Sequence, residues 1–84
     1  MPPRRRRPPR TPGLAALGEA IRQLRQEAGL SQEQVADLAE TDLSQVGGIE
    51  RGVRNPSYVT LQRLAAALGT TVGVIASRAD ELQI

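Results

Sequence analysis

The side chains able to do chemistry are few in kind. The 84-residue chain has no His and no Cys. That removes imidazole acid–base catalysis, thiol nucleophiles, disulfides and zinc sites built on either ligand. Tyr58 is the only aromatic, so stacking platforms for single strands or RNA are not expected. Carboxylates remain. Glu33, Asp37 and Glu40 recur at three- and four-residue steps, and such a row on a helix reads as a solvated face rather than a metal site. No Gly-rich phosphate loop follows a strand. Catalysis is therefore not expected, and neither is a cofactor, a metal or a small-molecule ligand. What is left is hydrogen bonding, and it is concentrated. Ser44, Gln45, Arg51, Arg54, Asn55 and Ser57 fall within one short stretch.

The elements that must position them are two short helices in SQEQVADLAETDLSQVGGIERG, Ser31 to Gly52. Ser31 caps the first, with Gln34 at the capping-box spacing, and Leu30 and Val35 stand at the spacing of a hydrophobic staple. Asp42 opens the second, with Gln45 at the same spacing. Helices this short need others to pack on. Val35, Ala36, Leu38 and Ala39 form the expected inner face of the first, and Val46 and Ile49 that of the second. Ser44 and Arg51 point away from Val46 and Ile49. Gly47 and Gly48 lie toward the outside, with Leu43 and Gln45 on the flanks. Such a small, polar outer surface suits the major groove of DNA, which admits one helix and displays donors and acceptors.

The rest of the chain supplies the packing. Leu14, Leu17, Ile21, Leu24 and Ala28 mark an amphipathic helix ended by Gly29. GVRNPS, Gly52 to Ser57, is a loop. Ser57 caps a helix with Leu61, Leu64, Ala65 and Leu68 as its stripe, ended by Gly69. Thr71 caps a last helix with Val72, Ile75, Ala76, Ala79 and Leu82 on one side. Nothing alternates with period two. The fold class is all-α, a compact unit of five short helices.

Five of the six prolines lie in the first twelve residues, together with Arg4, Arg5, Arg6, Arg7 and Arg10 and no acid. Residues 1–12 read as a disordered basic arm that contacts DNA phosphates or a minor groove, or merely solubilises. Residues 13–84 form the domain. The net charge is +2, so the chain outside the arm carries a formal −3. The high pI belongs to the arm. No apolar run is long enough to span a membrane, and no apolar segment of a secretory signal follows the basic start. A cytoplasmic protein is expected.

The segment LGEAIRQLRQEAGLSQEQVADLAETDLSQVGGIERGVRNPSYVTLQRLAAALG resembles the phage-repressor type of helix-turn-helix domain, the Cro/xenobiotic-response-element family. The likeness covers about residues 14–76. It rests on AGLSQ, the small Ala36, the IERG end of the second helix, the RNPS loop and the following LAAALG. GGIERGVRNPS is also similar to small restriction-modification controller proteins. The resemblance implies a sequence-specific transcriptional regulator of double-stranded DNA, with residues 42–51 as the recognition helix. It implies base reading by Leu43, Ser44, Gln45 and Gly48. Gln45 can pair bidentately with adenine, Ser44 can accept from or donate to several bases, and Leu43 can touch a thymine methyl. It implies backbone contacts by Gln32, Arg51, Arg54, Asn55 and Ser57. Arg25 and Glu50 match a partly buried ion pair of the family. A symmetric dimer on a palindrome is also implied, with Val72, Val74, Ile75 and Leu82 of the last helix as the seam, joined by Ile84. Activity is then expected to follow concentration and dimerisation.

Two departures stand out. Glu40-Thr41 replaces the family's Gly and aliphatic residue in the interhelix turn. Gly47 and Gly48 together cost about 2 kcal/mol of helix propensity. The alternative reading is a protein-binding helical adaptor or antitoxin-like module, using the acidic face of the first short helix and the apolar last helix.

Overall fold

A computed structural model describes residues 10–83, and five helices with no strand occur among them. They are α1 (Pro12–Glu27), α2 (Gln32–Leu38), α3 (Leu43–Glu50), α4 (Tyr58–Ala67) and α5 (Val72–Leu82). The all-α class and the five segments agree with the sequence reading.

Every helix begins with the same chemistry. Thr11, Ser31, Asp42, Ser57 and Thr71 stand in extended backbone, and each side-chain oxygen accepts the N–H three residues on. This satisfies one of the donors orphaned at a helix start. Ser31 and Gln34 make the reciprocal box, with Ser31 N–H donating to Gln34 Oε1 at 2.8 Å. Asp42 makes half of one: its Oδ1 accepts Gln45 N–H at 2.7 Å, while the Gln45 side chain is engaged elsewhere.

Four helices also end alike. The N–H groups of Leu30, Thr41, Val53 and Thr70 reach back to the carbonyls of Arg25, Ala36, Gly48 and Ala65. This closure needs left-handed backbone one residue earlier. Gly29, Gly52 and Gly69 supply it at φ 71°, 75° and 70°, but in the interhelix turn Glu40 must, at φ 55°. A side chain there costs roughly 1–2 kcal/mol. The strained turn is the one between α2 and α3.

Each helix contributes to one core: Ile21, Val35, Val46 and Ile49, Leu64 and Ile75 are all fully buried. Small residues set the closest approaches. Ala16 and Ala20 of α1 meet Ala79 of α5. Gly18 brings α1 against the end of α3, where a Cβ would overlap the Ile49 carbonyl oxygen and stand 2.5 Å from that of Glu50. Burial of this order stabilises a small domain by only a few kcal/mol net.

Several sequence expectations need correction. Leu38 is 60 % exposed. On a 100° wheel it stands about 110° from the arc centred on Val35, Ala36 and Ala39. Ala28 and Ala76 are exposed as well, Ala28 because it is already the C-cap of α1. Gly47 and Gly48 are buried, not through the core but under arginine side chains. Arg10, Thr11 and Pro12, read as the end of the arm, are tied to the folded unit. Arg10 N–H donates to Gly52 O at 3.0 Å, Thr11 caps α1, and Pro12 is its first residue, where the missing N–H costs nothing. The other arm arginines, Arg4 to Arg7, and Ile84 lie outside the described residues.

Candidate nucleic-acid interface

The orientation of α3 is fixed from behind. Its inner side chains, Val46 and Ile49, are 1 % exposed. Glu50, the last residue of α3, puts a carboxylate at the negative end of the helix dipole, which is unfavourable without a cation. Arg25 of α1 supplies the cation in a forked pair, Nε to Oε2 at 2.7 Å and Nη2 to Oε1 at 3.0 Å. The two side chains are 14 % and 3 % exposed. Arg25 Nη1 also donates to Leu30 O at 3.0 Å, and Gln32 Nε2 to Glu50 Oε1 at 2.9 Å. One carboxylate thus ties α1, α2 and α3 together. Among the described residues no buried side-chain polar atom lacks a hydrogen-bond partner.

The outer side of α3 is polar and open. Leu43 is 45 % exposed. Ser44 is exposed and Gln45 half-buried. The surprise is Arg54, in the loop after α3. Its Nη1 donates to Gln45 Oε1 at 2.8 Å and its Nη2 to Ser44 Oγ at 3.1 Å. Its stem lies over Gly48, which is why that glycine is buried. Arg51 lies over Gly47 in a similar way, its Nη1 3.0 Å from where a Cβ would stand. The expected base-facing and backbone-facing sets are therefore not separate: Arg54 of the second set grips Ser44 and Gln45 of the first. No pattern of residue types signals this, because it depends on the path of the loop.

The remaining residues are placed as follows. Gln32 commits one N–H to Glu50 and has a second on the same nitrogen. Asn55 is exposed. Ser57 is the N-cap of α4, accepting Thr60 N–H at 3.1 Å and donating to Thr60 Oγ1 at 3.0 Å. Arg10 is exposed, and its backbone bond to Gly52 sets it beside the C-terminal end of α3.

The residues expected at a dimer seam divide. Ile75 is fully buried in the core, and Val72 is half-buried against it. Val74 and Leu82 are 46 % and 40 % exposed. Val74 lines a shallow cleft with Thr71, Gly73, Ser77, Arg78 and Glu81. Arg78 reaches across to Glu27 of α1 in an ion pair. That hydrogen bond holds the Glu27 carboxyl below the usual range, and Arg22 does the same to Glu19 within α1.

Among the described residues no group of three carboxylates is placed to hold a metal ion. No single helix among them is long and apolar enough to cross a membrane.

Known proteins share this fold. Residues 21–75 match the family described as "Helix-turn-helix". The HTH-type transcriptional regulator DdrOP3 of Deinococcus deserti is 45 % identical over 56 residues, which cover 67 % of this chain and 43 % of that protein. The chain thus spans less than half the length of DdrOP3. The HTH-type transcriptional regulator y4dJ of Sinorhizobium fredii is 37 % identical over 65 residues, 77 % of this chain and 84 % of that one. Among solved structures, the restriction-modification controller protein C.AhdI of Aeromonas hydrophila superposes with a TM-score of 0.73 at 45 % identity. That match covers 74 % of this chain and 94 % of the controller. With its family match extending from Ile21 in α1 to Ile75 in α5, the chain belongs to the helix-turn-helix family.

Proposed function

We propose that the chain is a sequence-specific, double-stranded-DNA-binding transcriptional regulator that works in the cytoplasm as a homodimer, with α3 in the major groove. One observation carries this reading. The core-facing side of α3 is completely buried and fastened through Glu50, while Ser44 and Gln45 stand on its other side with hydrogen-bonding groups at the surface. A rigid helix presented so matches what the major groove admits and displays. The names of the relatives, transcriptional regulators and a restriction-modification controller, point the same way.

In this reading Leu43, Ser44 and Gln45 face bases. The second Gln32 N–H, Arg51, Asn55 and the N-terminus of α4 at Ser57 face phosphates. One recognition helix reads too few base pairs for a genome, so two copies are needed. Val74 and Leu82 are the large exposed apolar residues of α5 and offer themselves for that contact. The arginines of the arm supply non-specific affinity, which the mildly acidic domain lacks.

Selection of bound sites from random duplex DNA tests the proposal. The expected result is an enriched palindrome with half-sites about 34 Å apart or a multiple of it, and loss of preference at one base pair per half-site in Gln45→Ala. A protein-binding adaptor would enrich no motif.

A further inference from the structure

We propose that Arg54 is a specificity-determining positioning residue: seated over Gly48, it sets which hydrogen-bonding groups Ser44 and Gln45 turn toward the bases. The inference rests on the reading of α3 as the helix that enters the major groove.

Two sets of contacts carry it. Arg54 donates to Gln45 Oε1 and Ser44 Oγ, at 2.8 and 3.1 Å. A Cβ at Gly48 would stand 2.7 Å from Arg54 Cγ and Cδ and 2.8 Å from its Nε. The arginine stem therefore fills the volume that a side chain at position 48 would take. The loop is tied to the same glycine, since Val53 N–H and Arg54 N–H both donate to Gly48 O, at 3.0 and 3.3 Å.

The chemistry of the bond gives it a direction. A guanidinium has donors only, and an amide has an oxygen acceptor and an NH2 donor. Arg54 can hold Gln45 only by its oxygen, so the Gln45 NH2 is turned away from Arg54. Ser44 is held as an acceptor, which leaves its O–H to donate. Both side chains then offer donors. The bidentate adenine contact expected of Gln45 needs its oxygen as well as its NH2, and Arg54 already occupies one of that oxygen's two lone pairs and fixes its direction. Donors instead match edges that only accept: guanine, through O6 and N7, ahead of thymine, through O4. Loss of an arginine that met only a phosphate would weaken every sequence alike. Loss of one that orients two base-facing side chains changes which sequence is preferred.

The test is site selection from random duplex DNA with the full chain, Arg54→Ala, Gly48→Ala and the double variant. Arg54 is exposed, Ala at 48 favours helix, and the three atoms nearest to its methyl all belong to the movable Arg54 side chain. Melts are expected to verify that all four fold. The wild type is expected to prefer guanine at the pair faced by Gln45. Arg54→Ala shifts that pair toward adenine and loses about tenfold of the original discrimination. Gly48→Ala, whose methyl expels the arginine stem, shifts it in the same way, and the double variant goes no further than either single one. The inference is overturned if Arg54→Ala keeps the wild-type motif and only binds more weakly, or if Gly48→Ala keeps it while Arg54→Ala does not. A wild type that enriches no motif overturns this inference and the proposed function together.

Discussion

Gln32 and Glu50 are 18 residues apart, yet Gln32 Nε2 donates to Glu50 Oε1 at 2.9 Å. The same oxygen accepts Arg25 Nη2 from the other side, at 3.0 Å. The angle between α2 and α3 is held by this carboxylate as much as by the turn that joins them. Removing either partner leaves a nearly buried charge short of a donor. Arg25→Ala is expected to cost about 3–5 kcal/mol, enough to threaten a domain of this size. Gln32→Ala is expected to cost about 1 kcal/mol, because the ion pair survives. Thermal melts measure both, and a drop of only a degree or two for Arg25→Ala would mean that water already satisfies Glu50.

Gly18→Ala is expected to destabilise by about 1–3 kcal/mol. Its methyl would meet backbone carbonyls of α3, which cannot rotate out of the way. Gly13→Ala is the control. Its nearest neighbour is Thr11 Oγ1 at 3.7 Å, so it is expected to range from neutral to a gain of about 1 kcal/mol. Equal effects in urea unfolding would contradict the close approach of α1 to α3.

Glu40→Gly is expected to stabilise by about 1 kcal/mol, since φ 55° is strained for glutamate and ordinary for glycine. The urea midpoint is expected to rise with an unchanged m-value.

The ion pair between Glu27 and Arg78 predicts a pH dependence. The hydrogen bond from Arg78 lowers the Glu27 carboxyl pKa. A lowered carboxyl contributes stability above its unfolded pKa and loses it as pH falls through the folded one. Glu27→Gln is therefore expected to melt slightly lower than wild type at pH 7. The gap closes in acid below the usual carboxylate range. Added salt narrows it too, because the pair is exposed. A gap that widened in acid would contradict the pairing.

Replacing Arg4 to Arg7 with Ser is expected to leave the melt unchanged. If all four groups engage phosphates, the slope of log affinity against log salt is expected to flatten by about 3–4 units. The full deletion of residues 2–12 is a poorer experiment, because it also removes the Thr11 cap of α1, worth about 1 kcal/mol. An unchanged salt slope would leave the arm as a solubilising tail.

What the sequence made legible was local. Ser31, Asp42, Ser57 and Thr71 announce helix starts because a cap is a contact over three residues. Gly29, Gly52 and Gly69 announce ends because left-handed backbone selects glycine. What stayed illegible was set by packing. Gly18 looks like any weak helix position until α3 is laid against it. Val72, Val74, Ile75 and Leu82 are all apolar, and only the position of the core separates Ile75 from Val74. Within the proposed interface, residue types pointed to Ser44 and Gln45 but not to the bonds that Arg54 makes with them.

The bond from Arg10 N–H to Gly52 O also has a kinetic consequence. It pins the root of the basic segment beside the end of the helix proposed to read DNA. Arg7 is three residues from that root and Arg4 six, contour distances of at most about 11 and 22 Å. A duplex met by α3 therefore lies within contour reach of those guanidinium groups, the arrangement in which a tethered second contact gains an effective concentration in the millimolar range. If the arm engages phosphates as proposed, arm and helix are expected to act as one bivalent contact. In that case the arm is expected to raise the rate of arrival and the helix to lengthen the stay.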